Sequence, residues 1–213
     1  MGEFAKYVTP NQGGARRESP SEPLQLDTSV GVCSDGSAVA LRIGDTPALL
    51  VTGTTGSGKS AFVKTLAAEL MRRHAPQELR YAIFDSSRVG YRCLTSIPYM
   101  FYPTAHDPEE FERLAGVVSM ESERRLRLLA RRGRADPEHL LVIVDDIAAT
   151  EPKAETLAAL ERSLQTVRLT LMHFVLVTST PSSRALTPAL LSNIDLRVSF
   201  RVTSRAESRS VLG

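Results

Sequence analysis

The sequence predicts an α/β fold built on a parallel sheet, and three observations lead there. Short apolar runs of strand type alternate with longer stretches of helical period, the pattern of repeated βαβ units. One junction between them, Gly53-Thr54-Thr55-Gly56-Ser57-Gly58-Lys59-Ser60, matches the phosphate-loop pattern G-x-x-x-x-G-K-[ST]. That stretch follows the apolar run 48–51 and precedes the amphipathic stretch 61–71, the strand–loop–helix context the pattern requires.

In chain order, residues 1–23 are rich in Gly, Pro, Ser and Arg without a hydrophobic period, and read as a flexible lead-in. Met1-Gly2-Glu3-Phe4 is expected to be a cloning remnant, since Glu-Phe is what one common cloning site encodes. The domain then spans 24–213. Short apolar alternations around Val30-Gly31-Val32 and Val39-Ala40-Leu41 flank the turn signal Ser34-Asp35-Gly36, which predicts a small β-hairpin ahead of the main sheet. After the loop, Phe62, Leu66, Ala67 and Leu70 recur at helical spacing until Pro76. A buried-type strand over 81–84 ends at Asp85. Asp107-Pro108-Glu109-Glu110 predicts a capped helix start, with Phe111, Leu114, Val118 and Leu128 inward and a basic cluster over 124–134 before Gly133 and Pro137. The third strand, 140–144, ends at Asp145-Asp146; a helix over 153–169 carries Leu157, Leu160 and Leu164 on one face. The fourth strand covers 174–178, a short helix 188–191, and the fifth strand 196–200. No segment repeats.

Composition excludes little. At 213 residues, with 42% apolar and 23% charged residues, the chain can bury a full α/β core. A net charge of +2 announces no nucleic-acid partner, although only four of the 26 cationic residues are lysine. Arginine favours bidentate phosphate contacts and subunit interfaces, and genome composition explains such a skew as well. Cys33 and Cys93 lack metal or redox spacing, which fits a reducing compartment, hence a cytoplasmic location, with a membrane tether left to a longer parent protein. No apolar run approaches the ~20 residues that span a bilayer.

The loop carries the chemistry. Its glycines let the backbone aim successive N–H groups at phosphate oxygens, and the following helix adds its positive end through Ala61. Lys59 places a charge on the β- and γ-phosphates, and Ser60 offers its hydroxyl to Mg²⁺. Asp145, at the end of an apolar strand, is suited to hold the shell of that Mg²⁺, and Asp146 to orient the attacking water. Two acids at a strand end cap or solvate it as often as they catalyse, but behind a phosphate loop the pair gains weight. An Asn-Lys-x-Asp guanine reader is absent from the sequence, which favours ATP over GTP. The strand end Thr178-Ser179-Thr180 further suits an ATPase that couples hydrolysis to movement.

Several stretches, in order, resemble the motor domain of the FtsK/SpoIIIE family of DNA translocases, relatives of the EccC ATPases of type VII secretion. They are residues 49–60; Asp85 with Arg88-Val89; Ile97-Pro98-Tyr99; Glu123-Arg124-Arg125-Leu126-Arg127-Leu128; and the Asp145 strand. Arg168 with His173, Thr178 with Pro181, and Ser204-Arg205-Ala206-Glu207-Ser208-Arg209 with Leu212 complete the set. The resemblance implies a RecA-like core, three layers deep, with sheet order 5-1-4-3-2. It implies Thr178 and Ser179 beside the γ-phosphate as a sensor, and a hexameric ring in which Arg168 reaches the neighbouring subunit's nucleotide. An ordinary cation at a helix C-terminus is the plainer reading of Arg168. Arg124 and Arg125 are read either as facing a subunit boundary or as a solvated basic face.

Three departures bear on rate. Asp146 stands where the family has Glu, Ser179-Thr180 where it has Gln-Arg, and Ser86-Ser87 where it has Pro-Lys. They predict a slow or partner-dependent ATPase. The chain also ends soon after its fifth strand, where family motors continue, so it reads as C-terminally shortened. The leading expectation is a motor moving double-stranded DNA. The alternatives are an EccC-type ATPase acting on a secreted protein substrate, and a degenerate module that binds nucleotide with little hydrolysis.

Overall fold

A computed structural model describes residues 8–9, 26–92, 94, 98–133, 138–180, 184–202 and 209. Its centre is a five-stranded sheet, with β4 (Ala48–Thr52), β5 (Leu79–Asp85), β6 (His139–Asp145), β7 (Met172–Thr178) and β8 (Leu196–Ser199) in the order β5-β6-β7-β4-β8. Every pairing in it is parallel. Numbered from the phosphate-loop strand, that is the expected order 5-1-4-3-2.

The strands are near-continuous apolar runs because both faces of the sheet are covered. Alternate residues feed opposite cores. Ala82, Phe84, Val142, Val144, Phe174 and Leu176 pack against Phe111, Leu114, Val118, Leu160 and Leu164. Tyr81, Ile83, Leu141, Ile143, Val175 and Val177 pack against Val63, Leu66 and Leu70 on the other side. The first set lies under α2 (Pro108–Arg132) and α3 (Ala154–Gln165), the second under α1 (Lys59–Arg73). Three layers result.

The expected hairpin is present as β2 (Asp27–Val32) and β3 (Ala38–Arg42), closed by Cys33 N–H donating to Ser37 O at 2.7 Å. Leu26, Leu41 and Ile43 join the α1-side core, so the hairpin extends that layer. Inside the stretch read as a flexible lead-in, Val8–Thr9 (β1) pair antiparallel with β3. The rest of that stretch, and the signals read at Cys93, Arg134 and Pro137, lie outside the described residues.

Helix α2 starts and stops where its signals stand. Asp107 Oδ1 accepts from Glu110 N–H at 2.9 Å, Pro108 occupies the first turn, and Gly133 ends the helix at φ 68°. Its buried residue in the last turns is Arg125 rather than Leu128, which is only half-buried. Arg125 is 1% exposed. Its Nε donates to Glu121 Oε1 at 2.7 Å, and its Nη1 to Glu138 O at 2.6 Å and Thr170 O at 3.0 Å. This overturns both surface readings of Arg125: it is a buried tie between α2, the approach to β6 and the approach to β7. Arg124 stays at the surface on the same carboxylate, 2.7 Å from Glu121 Oε2.

The single helix expected over 153–169 is broken. It runs as α3 to Gln165, then as the one-turn α4 (Val167–Thr170). Thr166 makes the break, with φ −111° and ψ 3°. Its hydroxyl bonds back to Ser163 O at 3.1 Å and meets Ser122 Oγ on α2 at 3.0 Å, a local alternative to continuing the helix. The short α5 (Pro188–Leu191) then leads to β8, with Thr187 as its cap. Among the described residues no helix is long and apolar enough to cross a membrane.

Candidate nucleotide site

The loop from Gly53 to Gly58 joins the end of β4 to the start of α1 at the C-terminal edge of the sheet, where open α/β sheets bind ligands. Gly53 has φ 146° and Gly58 φ 104°, backbone that L side chains rarely adopt. At Gly53 space forbids a side chain as well, since a Cβ there would stand 2.7 Å from Phe200 Cβ. The loop therefore closes tightly onto the segment leaving β8, and Thr54 N–H donates to Arg201 O at 2.8 Å. Phe62 N–H makes the first backbone bond of α1, to Gly58 O at 2.9 Å. The N–H groups of Lys59, Ser60 and Ala61 precede that ladder and form the positive end of α1.

Lys59 is buried at 8% exposure, and its Nζ donates to Gly53 O at 2.7 Å and Thr54 O at 2.9 Å. Burial lowers its pKa from the ordinary lysine value, and the carboxylates of Asp145 and Asp146 offset part of that effect. All three charges therefore share one region. Asp145 closes β6, in register with Asp85 at the end of β5. Burial pushes its carboxyl above the usual range, the hydroxyls of Ser60 and Tyr91 draw it back, and Asp85 and Asp146 raise it further. Ser60 and Asp145, the pair expected at Mg²⁺, thus face each other.

Asp146 departs from the strand in the left-handed region at φ 67°, which aspartate tolerates better than most residues. It leads into a 3-10 turn over Ile147–Thr150, and its Oδ1 is buried without a protein partner. Ser57 Oγ and Thr52 Oγ1 are likewise buried and unpaired. Unsatisfied polar atoms around a phosphate-type loop are the capacity a nucleotide with its Mg²⁺ would use, so the residues present fit that group.

Thr178 ends β7 directly beside Thr52, its register partner on β4. Its hydroxyl takes the Thr180 N–H at 3.0 Å, a tight turn that fixes the start of the following segment. Since β7 lies between β4 and β6, Ser179 emerges between the loop and Asp145.

Arg168 is not brought to this edge. It lies on α4, 60% exposed, paired with the Asp195 carboxylate and donating to Asp45 O at 3.3 Å. Asp45 precedes β4 and Asp195 precedes β8, so Arg168 sits at the opposite end of β4 from Gly53. A five-residue strand separates the ends by about 17 Å.

Sequence reasoning missed Tyr91. It is fully buried, and its phenol is raised above its ordinary pKa by burial and by the carboxylates of Asp145 and Asp85. No motif announces it, because its position depends on the turn after β5. There Asp85 Oδ1 accepts from Ser87 Oγ at 2.6 Å and Ser87 N–H at 3.1 Å, and Oδ2 accepts from Tyr91 N–H at 3.1 Å. Asp85 is thereby committed to holding the turn. Ile97, Pro181, residues 204–208 and Leu212 lie outside the described residues.

Comparisons with known proteins bear on the family and the fold. The family model described as the FtsK/SpoIIIE family matches residues 12–212. A DNA translocase FtsK from Bacillus cereus is 28% identical over 216 residues, covering 91% of this chain and 27% of that protein. The DNA translocase SpoIIIE of Bacillus subtilis is 28% identical, over 83% of this chain and 25% of its own length. The chain thus spans about a quarter of these relatives. Among solved structures, the cytoplasmic domain of the Thermomonospora curvata type VII secretion ATPase EccC superposes with a TM-score of 0.74 at 21% identity, over 86% of this chain and 22% of that one. The pCW3 conjugation coupling protein TcpA, solved with ATPγS, gives 0.70 at 20% identity, over 97% of this chain and 61% of that one. These structures share the fold.

Proposed function

Because the chain belongs to the FtsK/SpoIIIE family of P-loop ATPases, we propose that it is a motor domain which binds and hydrolyses ATP to move double-stranded DNA through a ring of subunits. The observation that carries this reading is the convergence of Lys59, Ser60, Asp145 and Asp146 on one sheet edge, with Arg168 held at the other end of β4. A site split in this way suits a closed ring, where the exposed edge of one subunit completes the next.

In this reading the N–H groups of the loop and of Lys59, Ser60 and Ala61 cradle the phosphates. Lys59 exchanges its bonds to Gly53 O and Thr54 O for phosphate oxygens, a change of partner at little cost in buried charge. Ser60 and Asp145 would hold Mg²⁺, which would neutralise charge on the transferring phosphoryl group. Asp146 accepts the proton of the attacking water, Ser179 senses the terminal phosphate, and Arg168 stabilises charge on the neighbouring subunit's nucleotide. Turnover is slow or partner-dependent, because Asp146 is one methylene shorter than a glutamate.

The test is steady-state ATP turnover of the chain with and without duplex DNA, at several salt concentrations. Stimulation that fades as salt rises is the expected outcome, since phosphate-backbone contacts release counterions. Turnover indifferent to duplex DNA contradicts the DNA assignment and moves the reading to a secreted protein substrate. ATP binding without turnover would leave only a nucleotide-binding module.

A further inference from the structure

The proposed site fixes which way a nucleotide points. Asp145, Asp146 and Ser179 lie on β6 and β7, to one side of β4, and β8 lies on the other side. A triphosphate whose terminal phosphate faces the acids therefore trails its base toward β8. The segment leaving β8 is laced to the loop: Phe200 N–H donates to Thr52 O at 2.8 Å, and Arg201 O accepts from Thr54 N–H at 2.8 Å and Thr54 Oγ1 at 3.2 Å. The Phe200 ring reaches the start of α1. It meets Phe62 edge-on at 5.7 Å between centroids, with an interplanar angle of 67°, and a Cβ on Gly58 would stand 3.6 Å from its Cε1. Neither ring is fully buried.

We propose that Phe200, with Phe62 beside it, forms the surface that receives the purine base of the nucleotide. The inference rests on the ATP-binding reading above and adds the base end to it. Two aromatic rings in T-shaped contact, each with part of its surface open, provide an apolar face at the place where the polar phosphate cradle ends. Bases stack on such faces whatever their hydrogen-bonding edge. Phe200 also presses on Gly53, so a role in propping the loop is the competing explanation, and the experiment must separate the two.

Equilibrium binding of Mg-ATP and of Mg-tripolyphosphate, which has the phosphates but no base, separates them. For Phe200→Leu and Phe200→Ala the expected result is tripolyphosphate affinity equal to wild type and ATP affinity about tenfold weaker. Equal losses for both ligands assign Phe200 to propping the loop and overturn the proposal, as does unchanged ATP affinity. Should the alanine variant lose its fold, read by its Tm, Phe200→Leu keeps apolar volume against Gly53, and Phe62→Leu tests the second ring without touching the loop. A wild-type chain that binds neither ligand overturns the ATP-binding reading itself, an outcome distinct from loss confined to ATP.

Discussion

Asp146, proposed to handle a proton, holds an unusual position for that role. Its backbone is left-handed, it opens a 3-10 turn, and one carboxylate oxygen is buried without a protein partner. The short side chain and the fixed backbone together keep its carboxylate close to the end of β6. Extending the side chain by one methylene should therefore bring the acid toward the water it is proposed to polarise. Asp146→Glu is expected to raise steady-state ATP turnover, by up to about tenfold, with ATP affinity unchanged. A fall in turnover would mean that aspartate is already well placed. Much of this site was legible from residue types in order, because a phosphate loop and a strand-end acid each need particular atoms at particular spacings. Tyr91 was not legible. Its approach to Asp145 depends on the turn that Asp85 and Ser87 build, and such a turn leaves no periodic trace in sequence.

At the scale of elements, strands and helix starts followed their local signals closely, as the Asp107 cap and the Gly133 stop show. The failures came where one side chain answers to two elements. Thr166 ends α3 by bonding back to Ser163 while meeting Ser122 of α2, and the leucine pattern running through it gives no warning. Arg125 looks like part of a basic surface run, yet it is buried with its guanidinium on Glu121, Glu138 O and Thr170 O. Hydrophobic periodicity cannot detect a buried cation whose partners come from other elements. Removing it leaves the Glu138 and Thr170 carbonyls without their guanidinium donor and leaves Glu121 with Arg124 alone. Arg125→Ala is expected to cost about 3–5 kcal/mol and to lower Tm by roughly 10 °C, measured by thermal melting. Arg124→Ala, on the exposed side of the same carboxylate, should shift Tm by no more than a few degrees. Equal shifts for the two variants would contradict the buried-tie account.

For the whole molecule, the sheet order puts the proposed phosphate, metal and sensor groups at one edge and Arg168 at the other. No rearrangement within one subunit is needed if the neighbour supplies the missing cation. The pairing of Arg168 with Asp195 is exposed, so exchanging it for a neighbour's nucleotide costs little. The composite site is the central claim, and mixing two inactive variants tests it most directly. Lys59→Ala loses its own nucleotide but keeps Arg168; Arg168→Ala keeps its nucleotide but loses the cation. Mixed at concentrations where the wild type turns over ATP, the two should regain turnover that neither shows alone, because Arg168 of one subunit meets the nucleotide of the other. A mixture no more active than its separate components would contradict the account.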